Sequence, residues 1–136
     1  MRLYPPVWAI ARQSMEETGF GGYRIPPKPY VVIPIYALHR HPDFWQDPTR
    51  FDPERFAPKR AETRHSYCYL PFSAGPRTCI GAGMSILEIQ LVLAQILQRF
   101  CVRPVLGHPV RTVAAITFKA QFGLPVTITP RHAGRT

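Results

Sequence analysis

The stretch Phe72-Ser73-Ala74-Gly75-Pro76-Arg77-Thr78-Cys79-Ile80-Gly81 runs directly into Ala82-Gly83-Met84-Ser85-Ile86-Leu87 and on to Gln98-Arg99-Phe100. Residues 72–81 carry two glycines and a proline and read as a constrained loop. The following run has apolar residues at helical spacing and predicts one long helix over about 81–100. Glu88, Gln95 and Arg99 fall near one side, while Met84, Ile86, Leu87, Ile89, Leu91, Leu93, Ile96 and Leu97 cover most of the rest. Such a helix is expected to be buried among partners on several sides. The loop therefore delivers Cys79 to a helix start, where a thiolate is favoured twice. Unpaired backbone N–H groups and the positive end of the helix dipole lie there, and Arg77 adds a full charge. Cysteines in such surroundings can titrate below their free value of about 8.5. A lone thiolate suits a soft or redox-active metal whose other positions are filled by a non-protein group. A porphyrin does this and leaves an axial position for the protein. Gly75 and Gly81 suit a flat macrocycle lying close over the backbone. Spacing alone also admits a buried structural cysteine at a helix start, which is the commoner case.

Upstream the character changes. Most of the sixteen prolines lie before Gly81, which predicts short strands, turns and irregular coil. Met1 to Tyr4, cut off by Pro5-Pro6, reads as the end of a helix, and Val7 to Ile10 as an apolar extended run. Gly19 to Gly22 reads as a turn, and Tyr23 to Ile25 and Tyr30 to Ile35 as strands flanking Pro26-Pro27. Tyr36 to Arg40 fits a short helix, and Pro42 to Pro71 a packed, aromatic coil. Downstream, Val113 to Phe118 and Val126 to Thr129 are strand candidates separated by Gly123-Leu124-Pro125. The expected class is α+β: a meandering first part around one buried helix, with 136 residues enough for one domain with its own core.

Composition excludes several functions. The formal charge is +9, but the basic residues are scattered from Arg2 to Arg135 without a clustered run, so a nucleic-acid surface is not expected. The excess leaves a site for buried anions, a positive face for an acidic partner, or charge balanced from outside the chain. Cys68, Cys79 and Cys101 are odd in number and widely spaced, which fits neither a disulfide scaffold nor structural zinc. A reducing, cytoplasmic setting is expected. No apolar core of signal-peptide length follows Met1. The most apolar stretch, Ile80 to Leu97, holds Glu88, Gln90 and Gln95, and reads as a buried helix instead of a membrane span.

The ten-residue string from Phe72 to Gly81 resembles the haem-ligand signature of the cytochrome P450 family at Phe72, Gly75, Arg77, Cys79 and Gly81. The resemblance implies that Cys79 is the proximal ligand of a haem iron, that Phe72 shields the sulfur and that Arg77 contacts a propionate. It extends along the chain in the family's order. Arg2-Leu3-Tyr4-Pro5-Pro6 looks like the end of the family's ExxR helix and the turn after it. Val7-Trp8-Ala9-Ile10 stands where the family passes over the haem edge and touches substrate, and Arg12 where many members place a second propionate-binding arginine. Ala37 to Arg40 with Pro42, and Phe51-Asp52-Pro53-Glu54-Arg55-Phe56, resemble the run ending in the PERF element. Phe122-Gly123-Leu124-Pro125-Val126 looks like the C-terminal β hairpin, whose tip reaches the substrate pocket, which makes Phe122 a further substrate-contact candidate. Met84 and Ser85 stand where Phe and Ala are commoner. Two guanidinium groups on a haem dianion make physical sense, because a partly buried dianion is costly unless paired.

By this resemblance residues 1–136 are the C-terminal part of a cytochrome P450 domain, an α+β piece of a mainly α fold. The implied activity is haem-thiolate monooxygenation of an apolar small molecule, with electrons from a separate reductase or ferredoxin. Arg2 and Arg55 match two members of a structural Glu-Arg-Arg cluster whose Glu belongs two residues before Met1. The expectation is a truncated or mis-started product of a longer gene, inactive alone. The alternatives are a non-catalytic haem-binding or interaction stub and a basic structural protein without cofactor. Cys68 and Cys101 read as core or surface thiols, and His39 and His41 as local hydrogen-bonding residues.

Overall fold

The computed structural model describes residues 1–131. Strands β1 (Ile10–Gln13) and β4 (Tyr30–Ile33) pair antiparallel, with Ile10 opposite Ile33 and Gln13 opposite Tyr30. Nested between them, β2 (Thr18–Phe20) and β3 (Tyr23–Ile25) form a second ribbon. A hydrogen bond from Lys28 N–H to the Ser14 carbonyl (2.8 Å) ties the two together across the proline pair. The two expected strands on either side of Pro26-Pro27 thus exist but do not pair with each other. The turn expected over Gly19–Gly22 is narrower: Gly19 belongs to β2, and Gly21 and Gly22 make the turn, with φ of +57° and +83°. Residues 1–4, expected to be the end of a helix, are irregular.

After β4 a single turn of helix, α1 (Ile35–Leu38), leads into the proline-rich coil. That coil is punctuated by a 3₁₀ turn over Pro53–Phe56, capped by the Asp52 carboxylate accepting from Glu54 N–H, and by the short α2 (Pro58–Glu62). Helix α3 (Ala82–Arg99) falls within the expected span. It passes straight into β5 (Phe100–Pro104), which pairs antiparallel with β8 (Val126–Pro130). Between them β6 (Thr112–Ala114) and β7 (Phe118–Ala120) make a hairpin. The tail therefore differs from expectation. The apolar run Val113–Phe118 is broken at a hairpin tip, Ala115–Thr117, and residues 122–125 form the connection to β8 instead of a tip.

The core is small and lies off α3. Among hydrophobic residues Ile35, Trp45 and Cys68 are buried, joined by Pro5, His39 and Arg2. Tyr69, Phe56 and Trp45 pack ring on ring, with centroids 4.9 Å apart for Phe56–Tyr69 and 6.2 Å for Trp45–Phe56. The expectation of a buried long helix is corrected: no residue of α3 is buried, and Met84 is 76% exposed. The four ribbons hold two strands each, too narrow to cover an 18-residue helix that is apolar round much of its circumference. The chain exposes 11225 Å², against about 7,200 Å² for a folded protein of this mass by size scaling. The core expected for a chain of this length is present but small.

Candidate functional site

The loop ahead of α3 is closed by its own backbone. Cys79 N–H donates to the Phe72 carbonyl (2.9 Å), and Ser73 N–H to the Leu70 carbonyl (3.2 Å). Inside, Gly75–Arg77 forms a 3₁₀ turn whose Gly75 carbonyl accepts from both the backbone N–H (3.0 Å) and the hydroxyl (2.8 Å) of Thr78. Gly75 has φ +70°, a conformation that a side chain makes unfavourable, and a Cβ there would meet nothing within 4 Å. Gly81 differs. Its φ is −85°, open to any residue, and a Cβ would make ordinary contacts with Cys79 Sγ and Ser85 Oγ at 3.9 Å. The backbone thus requires glycine at 75 but not at 81. Gly81 is the helix N-cap and offers no side chain to the first turn, so the helix start keeps its donors beside Cys79.

The Cys79 thiol is exposed. With Arg77 and Phe72 it lines a cleft of about 260 Å³ whose far wall is Pro6, Val7, Ile10 and Ile35. Two segments some seventy residues apart in sequence therefore meet around one sulfur. Arg12 reaches the same loop by donating from Nη2 to Ser73 Oγ (3.1 Å). Ser73 holds φ +65° and was not singled out from sequence; a lone serine in a glycine-containing loop gives no signal of that conformation.

Trp8 and Ala9 do not line this cleft. Trp8 turns its indole N–H to the Ala115 carbonyl (2.7 Å), and Phe118 N–H donates to the Pro6 carbonyl (2.8 Å). Together these bonds strap the β6–β7 hairpin along residues 6–8. The apolar tip brought beside this segment carries Ile116, 94% exposed. Phe122, the sequence candidate, sits beyond β7 and is half exposed. Spacing could not separate the two, because both follow apolar strands near a turn.

Under the loop lies a polar knot. Fully buried His39 accepts the Leu70 N–H at Nε2 (2.8 Å), and its Nδ1 faces the Arg2 carbonyl at 3.3 Å, which fixes Nδ1–H as the donor. Burial is the main cause that pushes its pKa down to about 4, so the ring is neutral near pH 7. Arg2 donates to the carbonyls of His39 (2.9 Å), Pro48 (2.7 Å) and Arg50 (2.9 Å). Its guanidinium lies 4.9 Å from the Trp45 ring centre. Its pKa is lowered, chiefly by burial and then by Arg55, Arg40 and Arg64. Arg55 donates to the Asp47 carbonyl (3.0 Å), and its Nε stands 3.9 Å from Asp52 Oδ2. The two arginines expected to share a carboxylate are thus held mainly by backbone oxygens. Tyr69 and Cys68, packed in the same knot, have their pKa values raised by burial. His41 faces Asp43, its Nδ1 3.8 Å from Oδ2.

The fold is that of cytochrome P450 heme domains. The chain superposes on the crystal structure of the cytochrome P450DA heme domain with a TM-score of 0.89 and 30% identity, over 96% of this chain and 29% of that one. It superposes equally well on a retinoic acid-bound cyanobacterial CYP120A1 (TM-score 0.89, 30% identity, 96% and 30% covered). The cytochrome P450 family model matches residues 1–121, and the chain belongs to that family. It is 42% identical over 134 residues to a probable cytochrome P450 4aa1 of Drosophila melanogaster, covering 96% of this chain and 26% of that protein. It is 44% identical over 102 residues to cytochrome P450 4V2 of Mus musculus, covering 75% and 19%. The chain spans about a quarter or less of the length of these curated relatives.

Proposed function

We propose that Cys79 supplies the axial thiolate to a haem iron, and that this chain is the ligand-bearing C-terminal part of a haem-thiolate monooxygenase. The observation that carries the reading is the exposed sulfur at a helix start, opening on an apolar cleft with Arg77 on its rim. The residues present fit the group. Sulfur is a soft donor suited to iron in a porphyrin. The space over Gly75 is free, and the backbone does not account for glycine at 81. Arg77 and Arg12 flank the loop from two sides and would pair with the propionates. Phe72 would lie against the ligand sulfur, and Val7 and Ile10 would give the haem edge an apolar border.

When bound, the haem supplies activation of dioxygen and insertion of one oxygen atom into an apolar substrate, with electrons from a reductase or ferredoxin. The chain's own part is local. The helix start and Arg77 place positive charge beside the sulfur, and the backbone bond from Cys79 N–H to the Phe72 carbonyl closes the loop that carries it. Val7, Trp8, Ala9, Ile10 and Phe122 form the substrate-facing candidates, to which the hairpin tip is added through the Trp8–Ala115 bond. Arg2 and Arg55 serve as a structural cluster. Among the described residues no helix is long and apolar enough to cross a membrane.

The uncovered α3 supports a further element of the reading: alone, the 136 residues do not exclude water from the site and do not turn over. The same observation favours, as second reading, a stub that binds haem without catalysis. Reconstitution with haem, followed by the ferrous carbon monoxide spectrum, tests the ligand. A strongly red-shifted thiolate band that disappears in Cys79→Ala is expected. An unshifted band, or one that survives the substitution, overturns the reading.

A further inference from the structure

We propose that Trp8 is a positioning residue. Its indole N–H sets where the apolar hairpin tip, Ala115–Thr117, stands beside the wall of the Cys79 cleft, and so which apolar ligands fit there. The tip's role in ligand choice rests on Cys79 being the haem ligand; the latch itself rests on contacts within the chain.

Those contacts close on themselves. Trp8 donates from its indole to the Ala115 carbonyl (2.7 Å), and its own carbonyl accepts from Tyr36 N–H (2.9 Å). The Tyr36 ring stacks on Phe118, with centroids 5.0 Å apart and planes 11° from parallel. Phe118 N–H returns to the Pro6 carbonyl (2.8 Å). The Arg40 guanidinium also lies over the Tyr36 ring, 3.7 Å from its centre, and steadies the stack. Residues 6–8, the start of α1 and the β6–β7 hairpin are thereby joined in one circuit.

The circuit and the cleft share their framework. Pro6, Val7 and Ile35 wall the cleft, whereas Trp8 does not. β6 and β7 hold three residues each, and so short a two-stranded ribbon is marginal by itself; its place is set by what it is tied to. Its tip turns through a bond from Ala115 N–H to the Thr117 carbonyl (3.3 Å) and presents Ile116 to the outside. Among the described residues the Trp8 indole is the one group outside the hairpin that bonds to this tip. Trp8 therefore acts on a ligand through Ile116, and Tyr36 acts through the same hairpin from its other end.

Two measurements on the 136-residue chain test this. NMR reads the latch through amide exchange at Phe118 and the methyl signals of Ile116. Trp8→Phe keeps an aromatic ring but deletes the donor, and is expected to speed the exchange by about two- to tenfold and to move the methyl signals. Tyr36→Leu, which removes the stack, is expected to do the same, and Tyr36→Phe, which keeps it, to leave both unchanged. In the haem-reconstituted chain, imidazole and 4-phenylimidazole are titrated onto the iron by absorbance. The ratio of their affinities is expected to change by about threefold in both Trp8→Phe and Tyr36→Leu, and to hold in Tyr36→Phe. A ratio that moves in Trp8→Phe alone makes Trp8 a direct contact and overturns the positioning role. So does a ratio unmoved in both variants, or unaltered exchange at Phe118 in Trp8→Phe. Absence of the red-shifted thiolate band in the unaltered chain defeats the haem reading, and with it the tip's role in ligand choice, while the exchange data stand separately on the latch.

Discussion

Cys68 and Cys79 stand eleven residues apart on either side of the Leu70–Ser73 segment, and their surroundings are opposite. Cys68 is fully buried in the knot of His39, Trp45 and Tyr69, where burial pushes its thiol pKa up. Cys79 is exposed at the end of a loop whose backbone is closed and whose side chains face a cleft. In the first region the chain supplies most partners itself: His39 uses both ring nitrogens and Arg2 donates to three carbonyls. In the second, sulfur, guanidinium and apolar wall converge without touching one another through hydrogen bonds. The difference teaches that one region satisfies its polar groups from within and holds the fold, while the other leaves them open, as the proposed haem site requires. The same alphabet of residues serves both, and what distinguishes them is whether polar groups are satisfied from within.

The knot should fail first. Trp45→Ala removes the largest fully buried side chain and its ring contacts, and is expected to cost about 3–5 kcal/mol in chemical denaturation. If Cys79→Ser proved as damaging, the contrast between the regions would be lost; the expected cost at that exposed position is within about 0.5 kcal/mol.

Next in size is a pH effect. The unfolded imidazole of His39 binds a proton near 6.5 and the folded one only near about 4. Between those values the unfolded state binds more protons, so stability is full above about 6.5 and falls as pH drops towards 4. The loss approaches about 3 kcal/mol. Unfolding midpoints measured across this window should slope in the native chain and flatten in His39→Phe, relative to each protein's own neutral-pH value.

The two glycines sharpen the contrast inside the loop. Gly75→Ala forces a side chain onto φ +70° and is expected to lower stability by about 1–2 kcal/mol. Gly81→Ala should change stability by less than about 0.5 kcal/mol, since its φ and contacts are ordinary, yet reduce haem uptake. Equal effects of both substitutions on haem uptake and on unfolding would show that Gly81 is there for the backbone alone.

Much of the local structure was legible because it depends on local chemistry. The α3 span followed from apolar spacing, the broken character of residues 1–71 from proline, and the loop from Gly75 and Pro76. The pairing of strands was not legible: β4 takes β1 and β8 takes β5, across sequence gaps that short apolar runs do not encode. The same limit hid the partners of His39, which was expected to bond locally but bonds groups 31 and 37 residues away, and the Trp8–Ala115 strap spanning 107 residues.

By itself the sequence determined that a cysteine stands where a helix begins, since glycine, proline and helical periodicity act over a few residues. Only the tertiary structure decided that Val7, Ile10 and Phe72 share a cleft with that sulfur, and that Arg2 is held by carbonyls. It also decided that α3 stays uncovered. Those outcomes depend on which distant surfaces meet, and burial is a property of the whole packed chain and not of any segment within it.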